Sequence, residues 1–281
     1  MNYESLARSS ALAWIGRPTL RLVHAADPTR LRLRSLRKTV AQPAGLICIY
    51  RTRYASQVSR LVTDARGLGL EVVLWGLDAV IPSLSRLTIG TGPGARLALL
   101  NRLYKALPPS ASGQIVVSDD DVEFVRGGLQ ELLCVAHESD FGLAQPVHAP
   151  GSHVNQGITR ARPLTLARLT TFVDVGPVLV ISRELRSRVL PFPEEFGMGW
   201  GLSLLWTDLS RSGCRLGQVD AVSVRHLAPA GREYEIGPEA ERLRAMMKAR
   251  NIESLESLRR TLAAWRVWQT KPPWAHAPRE H

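Results

Sequence analysis

Residues 114–123 read QIVVSDDDVE. A short apolar run from Gln114 to Val117 predicts a strand, and it ends directly in three consecutive aspartates. Three adjacent carboxylates repel one another unless a cation or solvent screens them. In open parallel sheets, ligands gather at the carboxyl ends of strands. Asp119 and Asp121 can project to the same side of an extended turn. A hard divalent cation such as Mg²⁺ or Mn²⁺ takes one or two carboxylates together with phosphate oxygens. The bland alternative is a solvated acidic turn, with Ser118 or an aspartate capping a helix that follows.

Working outward, LICIY (46–50) is a continuous apolar run suited to a strand buried on both faces. Residues 54–68 predict a helix ending at Gly67 or Gly69. EVVLWG (71–76) predicts a second strand, and Ala95–Leu107 a helix opened by glycines and Pro93. Strands alternating with helices predict an α/β fold with a mostly parallel central sheet flanked by helices. Further on, the pattern predicts a helix over 128–136 and a strand at FGLAQPV (141–147), followed by a polar loop over 149–165. FVDVGPVLVI (172–181) reads as strand-like. Ser182 can cap a short helix over SRELRSRVL (182–190). A loop (192–201), a helix (202–213) and a closing strand (215–227) come next, and 238–268 read as helical.

The chain has 281 residues, enough for one or two domains with a large core. Residues 1–40 form a basic arm, 41–228 the main domain, and 229–281 a C-terminal helical extension packed on it. Trp265, Trp268 and Trp274 of that extension can pack on the core or on a second subunit. Lysine and arginine number 36 against 25 aspartates and glutamates, a net charge of +11. Anionic partners are favoured: nucleotides, phospholipid or nucleic acid. No nucleic-acid module is recognisable and aromatics are only 6% of residues, so specific nucleic-acid binding is not expected. Cys48, Cys134 and Cys214 match neither a zinc site nor a disulfide framework. With no apolar run long enough to span a bilayer and a poor signal sequence, the expectation is a cytoplasmic protein. LRLRSLRK (31–38) suits peripheral contact with the inner face of a membrane.

LICIYRTR, GPGARLALLNRLY, VVSDDDVEF, AQPVH, FVDVGPVLVI, FGMGWGLSLLW and VDAVSVRHL follow one another over residues 45–228. In that order they resemble the bacterial family-2-like nucleotide-sugar glycosyltransferases of the GT-A fold. The resemblance implies a Rossmann-like GT-A domain. It implies that Asp119 and Asp121 hold Mn²⁺ or Mg²⁺ on a diphosphate, with His226 completing the metal site. It places Tyr50, Arg51 and Arg53 at the base and ribose. Asp120, Arg96 and Asn101 fall at the nucleotide. Arginine suits a diphosphate because its fork bonds two oxygens at once. Asp78, after the second strand, can accept from a base or ribose, or equally cap its own loop. The donor implied is a UDP- or GDP-linked sugar; the acceptor stays open between a glycan, a lipid-linked molecule and a small molecule, and the basic arm and tail suit an anionic glycan or lipid-linked one. GTGPG (90–94) is not a dinucleotide fingerprint, because its third glycine is misplaced.

One position departs from the pattern. Relatives carry an aspartate in the motif where this chain has Ser203, and a serine hydroxyl is no substitute for a carboxylate base. Glu194, Glu195 and Asp174 are the alternative bases; Asp208, five residues along a helix from Ser203, points elsewhere. Three readings stay open: a relocated base with inversion, which is favoured; retention; and a silent nucleotide-binding or scaffold protein. Trp200 and Gly201 are candidate acceptor contacts. Trp206, between apolar neighbours, reads as core. His148 and His153 flank the polar loop as lid residues or solvated ones.

Overall fold

The structure, a computed structural model, describes residues 44–154, 156–229 and 236–275. The basic arm, and the membrane contact expected of it, lie outside the described residues. The N-terminal half alternates as the sequence predicts: β1 (Gly45–Tyr50), α1 (Ala55–Gly67), β2 (Glu71–Gly76), β3 (Thr88–Thr91), α2 (Arg96–Ala106) and β4 (Ile115–Ser118). Then come β5 (Val122–Arg126), α3 (Leu129–Glu138), β6 (Leu143–His148), β7 (Thr165–Thr170), β8 (Val178–Ile181) and α4 (Arg186–Val189). The described chain finishes with α5 (Leu202–Arg211), β9 (Leu216–His226), α6 (Ile236–Ala249) and β10 (Thr261–Arg266). The sheet order is β10-β7-β9-β6-β8-β4-β1-β2-β3, with β5 joined to β9. Along that path only β7 and β8 run against the other strands.

Side-chain alternation in β1 builds two cores, one on each face of the sheet. Leu46, Cys48 and Tyr50 face α1 and α3. Ile47 faces α2 and α5. α1 buries Val58, Leu61, Val62 and Ala65, the i, i+3, i+4, i+7 stripe of an amphipathic helix. Gly69, at φ +75°, turns the chain out of that helix into β2. Trp206 lies in the core, as its neighbours suggest.

Five strands differ from the sequence expectation. β3 (TIGT) is short, and the sequence reading did not expect it. β5 begins immediately after the aspartates, where a turn is expected. The strand read over 172–181 forms only from Val178, and the residues before it are irregular, with β7 appearing earlier instead. The helix read over 238–268 stops at Ala249, and β10 pairs antiparallel with β7. Leucines and alanines favour a helix locally, but the unpaired edge of β7 captures this segment as a strand. Trp265 is buried in the core, and Trp274 stacks on Phe141 at 5.6 Å and donates to Ser139 O at 2.8 Å. Trp268 is exposed.

Candidate metal and nucleotide site

Strand register assembles the site. β4 delivers the three aspartates beyond Ser118, beside β1. β5 then pairs with the far end of β9, Val122 opposite His226, which brings Asp121 to that histidine. His226 Nε2 lies 3.2 Å from Asp121 Oδ1. Ala228 N donates to Asp121 Oδ2 at 3.1 Å, and Leu227 N donates to Asp121 O at 3.0 Å. One ligand atom each from Asp119, Asp121 and His226 lies within 4.8 Å of the others. Two carboxylates and an imidazole at this spacing fit Mn²⁺ or Mg²⁺, with room left for phosphate oxygens.

The three aspartates have different surroundings. Asp120 is almost fully buried and turned away from the cluster. Arg51 clamps it with Nε at 2.8 Å, Nη2 at 2.6 Å and its backbone N at 2.7 Å. Asp120 therefore fixes the loop after β1. Asp119 is a quarter exposed. Arg96, the first residue of α2, donates to Asp119 Oδ1 at 2.7 Å. It also reaches Val175 O and Met198 O, each at 3.4 Å. Gly176 lies against the same carboxylate: a Cβ there would sit 2.5 Å from Asp119 Oδ2. Gly176→Ala is therefore expected to push Asp119 aside and weaken Mn²⁺ binding about tenfold while the melting temperature stays near wild type. Titration with Mn²⁺ followed by electron paramagnetic resonance measures this.

Electrostatics follow from the geometry. Burial works against a charged His226, yet the Asp121 hydrogen bond and the carboxylates of Asp119, Asp121 and Asp174 outweigh it and raise its pKa. Burial likewise opposes the Asp121 carboxylate, but His226, Arg51 and the Ala228 amide hold its pKa below the usual value. Behind them, His148 bonds Ser152 Oγ at 2.9 Å, and that hydroxyl accepts from His226 N at 2.9 Å. Burial, helped by His226 and Arg160, depresses the His148 pKa to about 4, so the ring is neutral. His148 is thus a brace under His226 rather than a lid; His153 is exposed and donates its N–H to His226 O at 3.4 Å.

The remaining expected residues separate into those near the cluster and those away from it. Tyr50 is buried, its hydroxyl bonded to Thr88 Oγ1 at 2.9 Å and to Ile81 N at 3.2 Å. Asn101 is buried and braces Phe192 through both amide atoms. Its amide also donates to Glu194 Oε1 at 3.1 Å, holding Glu194 beside mid-α2, more than a turn beyond Arg96. Glu195 is exposed. Gly201 is buried, and a Cβ there would meet Met246 and Phe196; Trp200 beside it is half-buried. Asp78 is exposed and accepts from Thr52 N and Oγ1 and from Ala79 N, bonds that hold its pKa down against a slight burial effect. Arg53 is exposed, its guanidinium over the Tyr54 ring.

Asp174 stays near the cluster. Its backbone N donates to buried Gln145, and its carboxylate accepts from Val175 N at 2.8 Å. Burial, with Asp119 adding to it, raises its pKa. Sequence reasoning missed the roles of Gly176 and Gln145, although both lie within quoted motifs, and of Ser152, which lies in none; these roles exist only through residues distant in the chain.

Two of the solved structures that share this architecture are GT-A-type examples. GalNAc-T7 with UDP, GalNAc and Mn²⁺ aligns at TM-score 0.50 and 11% identity, over 67% of this chain and 44% of that one. TarS 1–349 from S. aureus aligns at TM-score 0.50 and 11% identity, over 76% of this chain and 66% of that one. The fold is of the GT-A type. This GT-A-like chain spans less than two thirds of either of those structures. No family model matches the sequence, and no curated protein matches it. Among the described residues, no helix is long and apolar enough to cross a membrane.

Proposed function

We propose that this protein is a metal-dependent glycosyltransferase that moves a sugar from a UDP- or GDP-linked donor to an acceptor hydroxyl with inversion. The observation that carries the reading is the Asp119–Asp121–His226 cluster at the end of a central strand, with Arg96 against it, in a GT-A-type fold. GalNAc-T7 was crystallised with UDP, GalNAc and Mn²⁺, and this reading brings the same ligand classes to the present chain. Asp119, Asp121 and His226 hold Mn²⁺ or Mg²⁺, which neutralises charge developing on the departing diphosphate. Arg96 takes diphosphate oxygens. Arg51, Arg53 and Asp78 lie along the loops that meet the base and ribose. Asp174 accepts the acceptor proton in place of the carboxylate missing at Ser203, and a raised pKa suits that task. Trp200 offers a face to the acceptor sugar. An anionic glycan or lipid-linked acceptor suits the net charge of +11, at the cytoplasmic face of a membrane.

The test is thermal stability against nucleoside diphosphates, each with and without Mn²⁺, followed by donor hydrolysis. A ligand at a hundredfold excess over Kd stabilises the native state by about 2.7 kcal/mol. A shift that needs both nucleotide and metal supports the reading, and no shift with any pair overturns it. Ser203 favours a second reading, a silent nucleotide-binding module, because the start of α5 carries no carboxylate. Binding without any donor hydrolysis or transfer selects that one.

A further inference from the structure

The two arginines beside the aspartates are bonded differently. Arg51 holds Asp120 at both oxygens and from three nitrogens, an arrangement that stays closed. Arg96 holds one oxygen of Asp119, a partly exposed carboxylate that also belongs to the cation cluster. A cation entering that cluster must share Asp119 with a guanidinium whose charge opposes it. A diphosphate changes the balance, because its oxygens can take the guanidinium fork and the cation together. Arg96 also stands at the first turn of α2, where the helix end favours anions.

We propose that Arg96 acts as a resident counter-ion of the metal site: it occupies Asp119 in the free protein, weakens cation binding there, and moves to the diphosphate when donor and metal bind together. The proposal rests on the glycosyltransferase reading and adds a coupling between metal and nucleotide, each tightening the other by the same factor.

The experiment measures free Mn²⁺ by electron paramagnetic resonance, first with Mn²⁺ alone and then with UDP or GDP. The variants are Arg96→Gln, Arg96→Lys and the double variant Asp119→Asn/Asp121→Asn, each checked for folding by thermal melting. Coupling of this kind is worth about 5- to 150-fold. Arg96→Gln is expected to bind Mn²⁺ alone about tenfold tighter than wild type, and to lose most of the tightening by nucleotide. Arg96→Lys, which keeps the charge, is expected to stay near wild type with Mn²⁺ alone. Unchanged or weaker Mn²⁺ binding by Arg96→Gln overturns the proposal, and so does a lysine variant that behaves like the glutamine one. If the double aspartate variant binds Mn²⁺ as well as wild type, the metal site itself is wrong and the proposal falls with it.

Discussion

Replacing Asp119 and Asp121 together by asparagine is expected to lower sugar transfer at least about a thousandfold while the protein remains folded. Losing a single preorganised charge-stabilising group costs about 10²–10³ in kcat, and on the proposed function this change removes both carboxylate ligands of the cation that would offset charge on the leaving diphosphate. Asparagine keeps the size of each side chain, so the backbone bonds at Asp121 and Asp119 persist. Activity that survives the change would place the chemistry elsewhere. The same site sets a pH dependence. Without a cation, His226, with its raised pKa, contributes stability that is fully present below about 6.5 and fades as pH rises through the folded value. Asp121, with its lowered pKa, contributes stability that is fully present above about 3.9 and is lost as pH falls through its folded value. A metal ion requires neutral imidazole instead. Mn²⁺ affinity is therefore expected to rise with pH, about tenfold per unit below the folded pKa of His226, and to level off above it. Isothermal titration at several pH values reads this directly.

The second large effect concerns folding. Arg168 in β7 and Asp220 in β9 are both fully buried, 2.7 Å apart. The guanidinium also donates to Ile158 O at 2.9 Å and Arg160 O at 3.0 Å, and Asp220 Oδ1 accepts from Arg162 N at 2.8 Å. Asp220→Ala is expected to destabilise the protein by about 3–5 kcal/mol, because a buried guanidinium loses its counter-charge. Replacing both residues, Arg168→Met with Asp220→Leu, is expected to cost much less than the single change. Urea denaturation midpoints test the pair; a double variant as unstable as Asp220→Ala would mean that packing, not charge, governs the site. The bonds to residues 158–162 add a functional consequence. That loop bridges to His148 under the metal site, so Asp220→Ala is also expected to weaken Mn²⁺ binding.

The sequence showed those parts of the fold whose signal is local. β1, β2 and α1 announce themselves by apolar runs and helical spacing. β7 was hidden because Arg168 interrupts its apolar run, and the aspartate that neutralises it lies in another strand. β10 was hidden because its residues suit a helix, and only its partner decides otherwise. The same division holds at the site. Asp119 and Asp121 follow an apolar strand and can be found by chemistry, whereas His226, a histidine ending a strand, was reached only through the family resemblance. Tyr50 and Asn101 are also polar and well placed in the sequence, but the facing helix or loop decides which way each turns. Ile81 and Thr88 claim the Tyr50 hydroxyl, and Phe192 claims the Asn101 amide.

The pairing of β5 with β9 also has a bearing on synthesis of the chain. The ladder β3-β2-β1-β4 needs no residue beyond Ser118. β6 and β7, in contrast, each take both of their sheet neighbours from later in the chain. At about 5–20 residues per second, roughly 5–20 s of translation separate the aspartates from His226. A nascent chain halted before β9 carries the acidic turn without the histidine or the strand that positions Asp121. Cation capture is thus expected late in biogenesis, and the ion cannot serve as a scaffold for the first half of the sheet.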